Sequence, residues 1–150
     1  MRDGGSRKLH TAAEFGLDIF AGDLNLFRWF LLCYLFGKPI RSETAVKTWQ
    51  LFIEHKMDTP WAIRDARWRQ LSDILCDGGY RRYDTVTAHG LQACMDGLIR
   101  DYDGSLWLML ESSRDEDEFS KRLQKLHGVG PKVAEIVMNE TREVFARRVE

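Results

Sequence analysis

The residues most able to do chemistry stand together in Leu126-His127-Gly128-Val129-Gly130-Pro131-Lys132-Val133-Ala134. Two glycines one residue apart allow a hairpin whose backbone passes close to another molecule, because neither carries a Cβ. The loop runs into a helix start, where unpaired N–H groups and the helix dipole attract an anion. Pro131 gives up only an N–H that the first helical turn does not use. Ala134 lets the second helix pack closely, and Lys132 adds a cation beside the anion. A phosphate fits this arrangement, and a DNA backbone presents phosphates in rows. The plainer alternative is a tight turn between two helices with no ligand.

Other chemistry-bearing residues are dispersed. Lys38, Arg81, Arg82 and His127 are the further candidates for contact with DNA, and Arg147 and Arg148 add charge near the C-terminus. Lys121 and Lys125, one helical turn apart, read as solubilising surface charges. The run Arg114-Asp115-Glu116-Asp117-Glu118 reads as a helix start, where negative charge is favoured. Cys33, Cys76 and Cys94 stand far apart without a Cys-x-x-Cys pair, and His10, His55, His89 and His127 do not cluster. Zinc and iron–sulfur centres need clustered ligands, so neither is expected. An odd cysteine count without a signal peptide points to free thiols and a cytoplasmic location, nucleoid-associated in a bacterium.

The elements that must position these residues read as helices. Residues 1–8 are polar and Gly-rich and predict a loose tail. Leu9 to Phe20 has near-helical apolar spacing, weakened by Gly16. Asp23 is placed to cap a helix through Phe36 that is apolar almost all round, which predicts a position at the centre of a core. Gly37-Lys38-Pro39 breaks it. Ser42 begins a helix to about Lys56, and Thr59-Pro60-Trp61 begins another. Arg67 to Leu75 is a short helix closed by Gly78-Gly79, Tyr80 to Arg100 is long and amphipathic, and Ser105 to Leu110 is short. Asp115 to Leu126 and Pro131 to Arg148 flank the hairpin. No segment alternates with period two for long enough to predict a strand. The expected class is all-α: a tail over 1–8, then one compact multi-helix domain over 9–150, its hairpin unit at about 115–148.

The 150 residues, 44% apolar and 30% charged, suit one soluble domain. The most apolar run, Leu24 to Phe36, is too short to span a bilayer and contains Asn25 and Arg28, so no membrane partner is expected. The net charge of −1 does not announce a nucleic-acid binder. Any electrostatic footprint must therefore be local.

The pattern Leu-x-Gly-Val-Gly-x-Lys-x-Ala at Leu126 to Ala134 resembles the helix-hairpin-helix motif of DNA repair proteins. From Leu26 to Glu140 the order of helices resembles the base-excision DNA glycosylase superfamily that includes endonuclease III and the 8-oxoguanine glycosylases. Leu31-Leu32-Cys33-Tyr34-Leu35 is similar to that family's core helix, and Gly79-Tyr80-Arg81-Arg82-Tyr83 to its Gly-x-Tyr loop.

The resemblance implies double-stranded DNA, damaged or abasic, as partner. The hairpin residues His127, Gly128, Val129, Gly130 and Lys132 would meet the backbone. In bifunctional members a Lys at the place of Lys132 is the nucleophile that attacks the sugar of a flipped nucleotide, whereas in non-catalytic modules it meets a phosphate. Both roles stay open for Lys132. Trp29, Phe36, Tyr80 and Tyr83 are candidates to line a pocket for the flipped base. The carbonyls of Gln124, Leu126 and Val129 would hold a potassium or sodium ion, and no other cofactor is expected.

The pattern also departs from the family. Aligned without gaps, Glu150 falls where the family has its catalytic Asp, and Asn139 to Glu150 reads as continued helix rather than the loop that carries this acid. Gly37-Lys38-Pro39 replaces the duplex-probing Gln, and the cysteine cluster is missing. Glu43, Asp84, Glu135 and Glu140 are the substitute carboxylates to examine. Three functions follow: a glycosylase or abasic-site lyase acting through Lys132, a DNA-binding module without chemistry, or a helical protein-interaction domain.

Overall fold

A computed structural model of the chain describes residues 10–149, and the expected tail and Glu150 lie outside them. No strand occurs among the described residues. The helices are α1 (Asp23–Phe36), α2 (Ser42–Glu54), α3 (Pro60–Asp65), α4 (Trp68–Gly78), α5 (Asp84–Tyr102), α6 (Leu106–Glu111), α7 (Glu116–Gln124) and α8 (Pro131–Val149). None of them is long and apolar enough to cross a membrane.

α1 is the centre, as its all-round apolar sequence predicts. Every residue from Leu26 to Phe36 is buried except Arg28. Three polar ends of large side chains tie neighbours to its backbone or tie α1 to theirs. Trp49 Nε1 of α2 donates to the Arg28 carbonyl at 2.8 Å, and Tyr80 Oη donates to the Leu35 carbonyl at 3.0 Å. Trp29 Nε1 of α1 donates to the Val137 carbonyl of α8 at 3.4 Å. α4 packs on α2, and α5 packs on α3 and α4; α6 and α8 pack on α1, and α7 packs on α8. The buried apolar side chains make one continuous cluster from Ala12 to Phe145.

Several helix starts follow the expected chemistry. Thr59 accepts from the Ala62 N–H at 3.2 Å with Pro60 in the first turn, and Asp115 accepts from the Glu118 N–H at 2.9 Å. Ser105 accepts from the Leu108 N–H at 3.0 Å.

Three expectations are corrected. Of the segment Leu9 to Phe20, the described residues 10–20 form no α-helix: Ala12–Phe15 and Ile19–Ala21 are single 3₁₀ turns. Gly16 stands between them at φ +74°, a conformation that ends the first turn. Asp23 does not cap α1, where Gly22 takes the cap position. Its carboxylate instead serves the start of α6, accepting from Ser105 Oγ at 2.9 Å and from the Trp107 N–H at 3.1 Å. α2 begins at Ser42 as expected, with Arg41 at its cap and no side-chain cap bond. The long helix begins at Asp84 rather than Tyr80, because Tyr80 turns inward to reach α1.

The ends of α6 explain two basic residues. Arg148 donates to the carbonyls of Ser113 at 2.6 Å, Glu111 at 3.1 Å and Leu110 at 3.2 Å. Arg122 donates to Ser112 Oγ at 2.9 Å. Carbonyls at a helix end lack helical partners, and a guanidinium supplies several donors at once. Arg148, though exposed, is therefore engaged in closing the end of α6.

Candidate functional site

The connection between α7 and α8 is built from the inside out. Leu126 and Val129 point into the core, 5% exposed each, which leaves His127 and Gly128 outside. The turn closes through Leu126 N–H to the Leu123 carbonyl at 3.0 Å, Val129 N–H to the Leu126 carbonyl at 3.1 Å, and Ala134 N–H to the Gly130 carbonyl at 3.0 Å. The N–H groups of Gly128, Gly130, Lys132 and Val133 have no hydrogen-bond partner among the described residues. Free donors at the head of a 19-residue helix are groups of the kind that attract an anion.

The two glycines serve different ends. Gly128 sits at φ +80°, and a Cβ there would collide with the hydroxyl of Tyr34 on α1. Its identity follows from the fold. Gly130 has no such constraint: its φ is not in the left-handed region, and a Cβ would meet nothing within 4 Å. Its bare backbone faces open space beside the free donors.

The first turn of α8 lies against the end of α1, where a Cβ on Gly37 would collide with the Val133 side chain. This contact brings Lys38 to the hairpin, with Nζ 5.4 Å from the centre of the Tyr34 ring. Lys38 and the exposed Lys132 share a cleft of about 560 Å³ with Arg41, Phe36, Glu135 and His10. The His10 and Phe36 rings stack, with centroids 4.8 Å apart and planes 12° from parallel. A second groove of about 520 Å³ runs between α7 and α8, where Glu116, Asp117 and Glu135 accompany Lys132. Its carboxylates suit a phosphate poorly.

The remaining expected residues divide clearly. His127 is exposed and lies over α5, its ring 3.6 Å from a Cβ placed on Gly90. Arg81 and Arg82 are exposed in the turn between α4 and α5. That turn is held at the end of α1 by the Tyr80 bond and by Gly79 against the Thr44 side chain. No described contact joins either arginine to the hairpin. Lys121 pairs with Asp117 at 2.9 Å on the surface, and Arg147 pairs with Glu143 at 3.2 Å. Among the aromatic candidates, Trp29 and Tyr80 are fully enclosed in the core, Tyr83 is half-buried, and Phe36 reaches the cleft.

Of the substitute carboxylates, Glu135 alone lines both grooves with Lys132. Glu140 is half-buried near Cys33, where its charge and the burial together hold the thiol well above its usual range, burial being the larger cause. Asp84 accepts from the Thr85 N–H at 2.7 Å at the start of α5, and Glu43 is exposed on α2. At about 1.5 Å per residue, the continuous helix from Lys132 carries Val149 about 25 Å away. The continued helix expected after Asn139 is thus present through Val149.

Three residues of this region were not singled out from sequence. Arg41 and His10 line the cleft, and Tyr34 supports the hairpin from below with a hydroxyl that is buried and unpartnered among the described residues. Compared with protein-family models, curated proteins and solved structures, the chain matches none.

Proposed function

We propose that this protein binds the phosphate backbone of duplex DNA through residues 126–134, used as a helix-hairpin-helix of the kind found in base-excision glycosylases. The observation that carries this reading is the pairing of four unpartnered N–H donors with a glycine, Gly130, that the fold itself does not require. A glycine unneeded for packing or for φ is explained by a partner that must come close. Lys132 and Lys38 stand on the same side and add the positive charge that a phosphate row attracts.

Binding without turnover is favoured over catalysis. The glycosylase reaction needs a carboxylate placed to about an ångström, and α8 runs on as helix where a loop would have to bring one back. The lyase reading keeps one supporting observation, the presence of Glu135 beside Lys132 in both grooves. Where a potassium or sodium ion joins the complex, the carbonyls of Gln124 and Val129 are free of hairpin N–H donors, while that of Leu126 already accepts one. Such an ion would add positive charge beside the bound phosphate.

The test is fluorescence anisotropy on a duplex closed by loops at both ends, with Gly130→Ala against wild type. Loss of about tenfold or more in affinity, at unchanged melting temperature, is the expected result for a blocked charged hydrogen-bond site. Affinity should also fall steeply with salt. Equal binding by both proteins would overturn the reading and favour a helical interaction domain.

A further inference from the structure

We infer that the cleft between residues 36–41 and the first turn of α8 receives the last nucleotide of a DNA strand that ends in a phosphate monoester. This inference rests on the DNA-binding reading of the hairpin. The cleft, at about 560 Å³, is within the size range of pockets that hold small molecules. Its charged lining sets Lys38, Arg41 and Lys132 against Glu135 alone, a surplus of two positive charges. A phosphodiester inside a strand carries one negative charge. A terminal phosphate monoester carries about −1.5 to −2 near neutral pH, which matches the surplus. Arg41 contributes a planar fork that bonds two phosphate oxygens together.

The apolar part of the cleft suits a base. Phe36 is 8% exposed and backs the stacked ring of His10, whose side chain is 38% exposed. A base gains attraction from such an aromatic platform whatever its identity. Glu135 offers an acceptor to exocyclic amino groups. Lys132 belongs to the hairpin and to the cleft, so a strand that lays a phosphate on the α8 amides has its next nucleotides within reach of the platform.

The experiment compares four labelled duplexes by anisotropy. One is closed at both ends by loops. Three are closed at one end and open at the other, with a 5′-phosphate, a 3′-phosphate or hydroxyls only. The expected result is binding to one phosphorylated end about tenfold tighter than to the hydroxyl end, the effect of a charge-assisted contact. Arg41→Ala should abolish that difference and leave affinity for the fully closed duplex within about twofold. Equal affinity for phosphorylated and hydroxyl ends overturns the inference. So does competition by free dAMP at the concentration of the phosphorylated end, since the ligand is then a mononucleotide. Failure to bind the fully closed duplex, with the end preference intact, removes the backbone-binding reading and leaves the cleft as the site.

Discussion

The hydroxyl of Tyr34 occupies the space that a side chain on Gly128 would need, so the core helix sets the height of the hairpin loop. That hydroxyl is buried and has no partner among the described residues. Gly128→Ala meets both the collision and the φ of +80°, and should destabilise the protein by about 2 kcal/mol. Tyr34→Phe removes a buried unpaired group and should cost little or stabilise slightly. In the double variant the loss should be smaller than in Gly128→Ala alone. Urea midpoints of the four proteins measure this, and a loss unchanged by Tyr34→Phe would show that Tyr34 does not set the loop.

Arg28 and Asp58 form the ion pair that the core most encloses. The Arg28 guanidinium donates to Asp58 Oδ2 at 2.9 Å from Nε, and its Nη2 lies 2.7 Å from the same oxygen. Asp58 is 8% exposed, and Arg28 is half-buried. Asp58→Asn leaves the guanidinium in place without its counter-charge, at a cost of about 1–3 kcal/mol, below that of a fully buried pair. Thermal unfolding of the variant reads it, and a melting temperature equal to wild type would contradict the account.

Burial pushes the Cys94 thiol up from its ordinary value near 9 to about 12, and raises that of Cys33 as well. Both folded values are raised, so the unfolded chain releases its thiol protons first. The contribution of Cys94 is complete below about pH 9 and declines from there towards pH 12, by about 1.4 kcal/mol per pH unit at the steepest, and burial of Cys33 acts in the same direction. Cys94→Ala should flatten the alkaline part of a stability–pH profile. In the native protein at pH 8, iodoacetamide should label the half-buried Cys76 and spare Cys33 and Cys94. Rapid native labelling of Cys94 would refute its burial.

Lys132 should form no borohydride-trapped adduct with a duplex carrying an abasic site. The reason is the unbroken α8, which carries the chain away from the amine. Lys132→Ala should instead weaken duplex binding evenly across sequences and lower the salt slope by about one. An adduct with wild type that disappears in Lys132→Ala would replace the binding reading with a lyase.

The legible parts of the structure were those where cause and effect lie close in sequence. The all-round apolar run of α1 announces its central place, and Thr59-Pro60 announces the start of α3, because burial and capping act over one or two turns. The turn between α7 and α8 is legible for the same reason, since its glycines and Pro131 are contiguous. Asp23 misleads because its partners, Ser105 and Trp107, are more than eighty residues away. Periodicity also misleads over residues 10–20, where Gly16 permits a backbone that breaks the repeat. The cleft is hidden in the sequence because His10, Phe36, Arg41 and Lys132 come from separate segments, and only packing of α8 on the end of α1 joins them.

The carboxylates at the start of α7 make no acidic pole, because Asp117 meets Lys121, Glu118 lies beside Arg114 and Arg122, and Glu116 reaches Arg142, all at 2.9–4.0 Å. Those separations are well inside the screening length of about 8 Å in physiological salt, so the opposite charges cancel where they stand. Lys125 and Lys132, exposed beyond the end of α7, join no ion pair among the described residues. A net charge of −1 therefore conceals an uneven distribution: one end of α7 is neutralised locally and the other keeps its positive charge open to solvent.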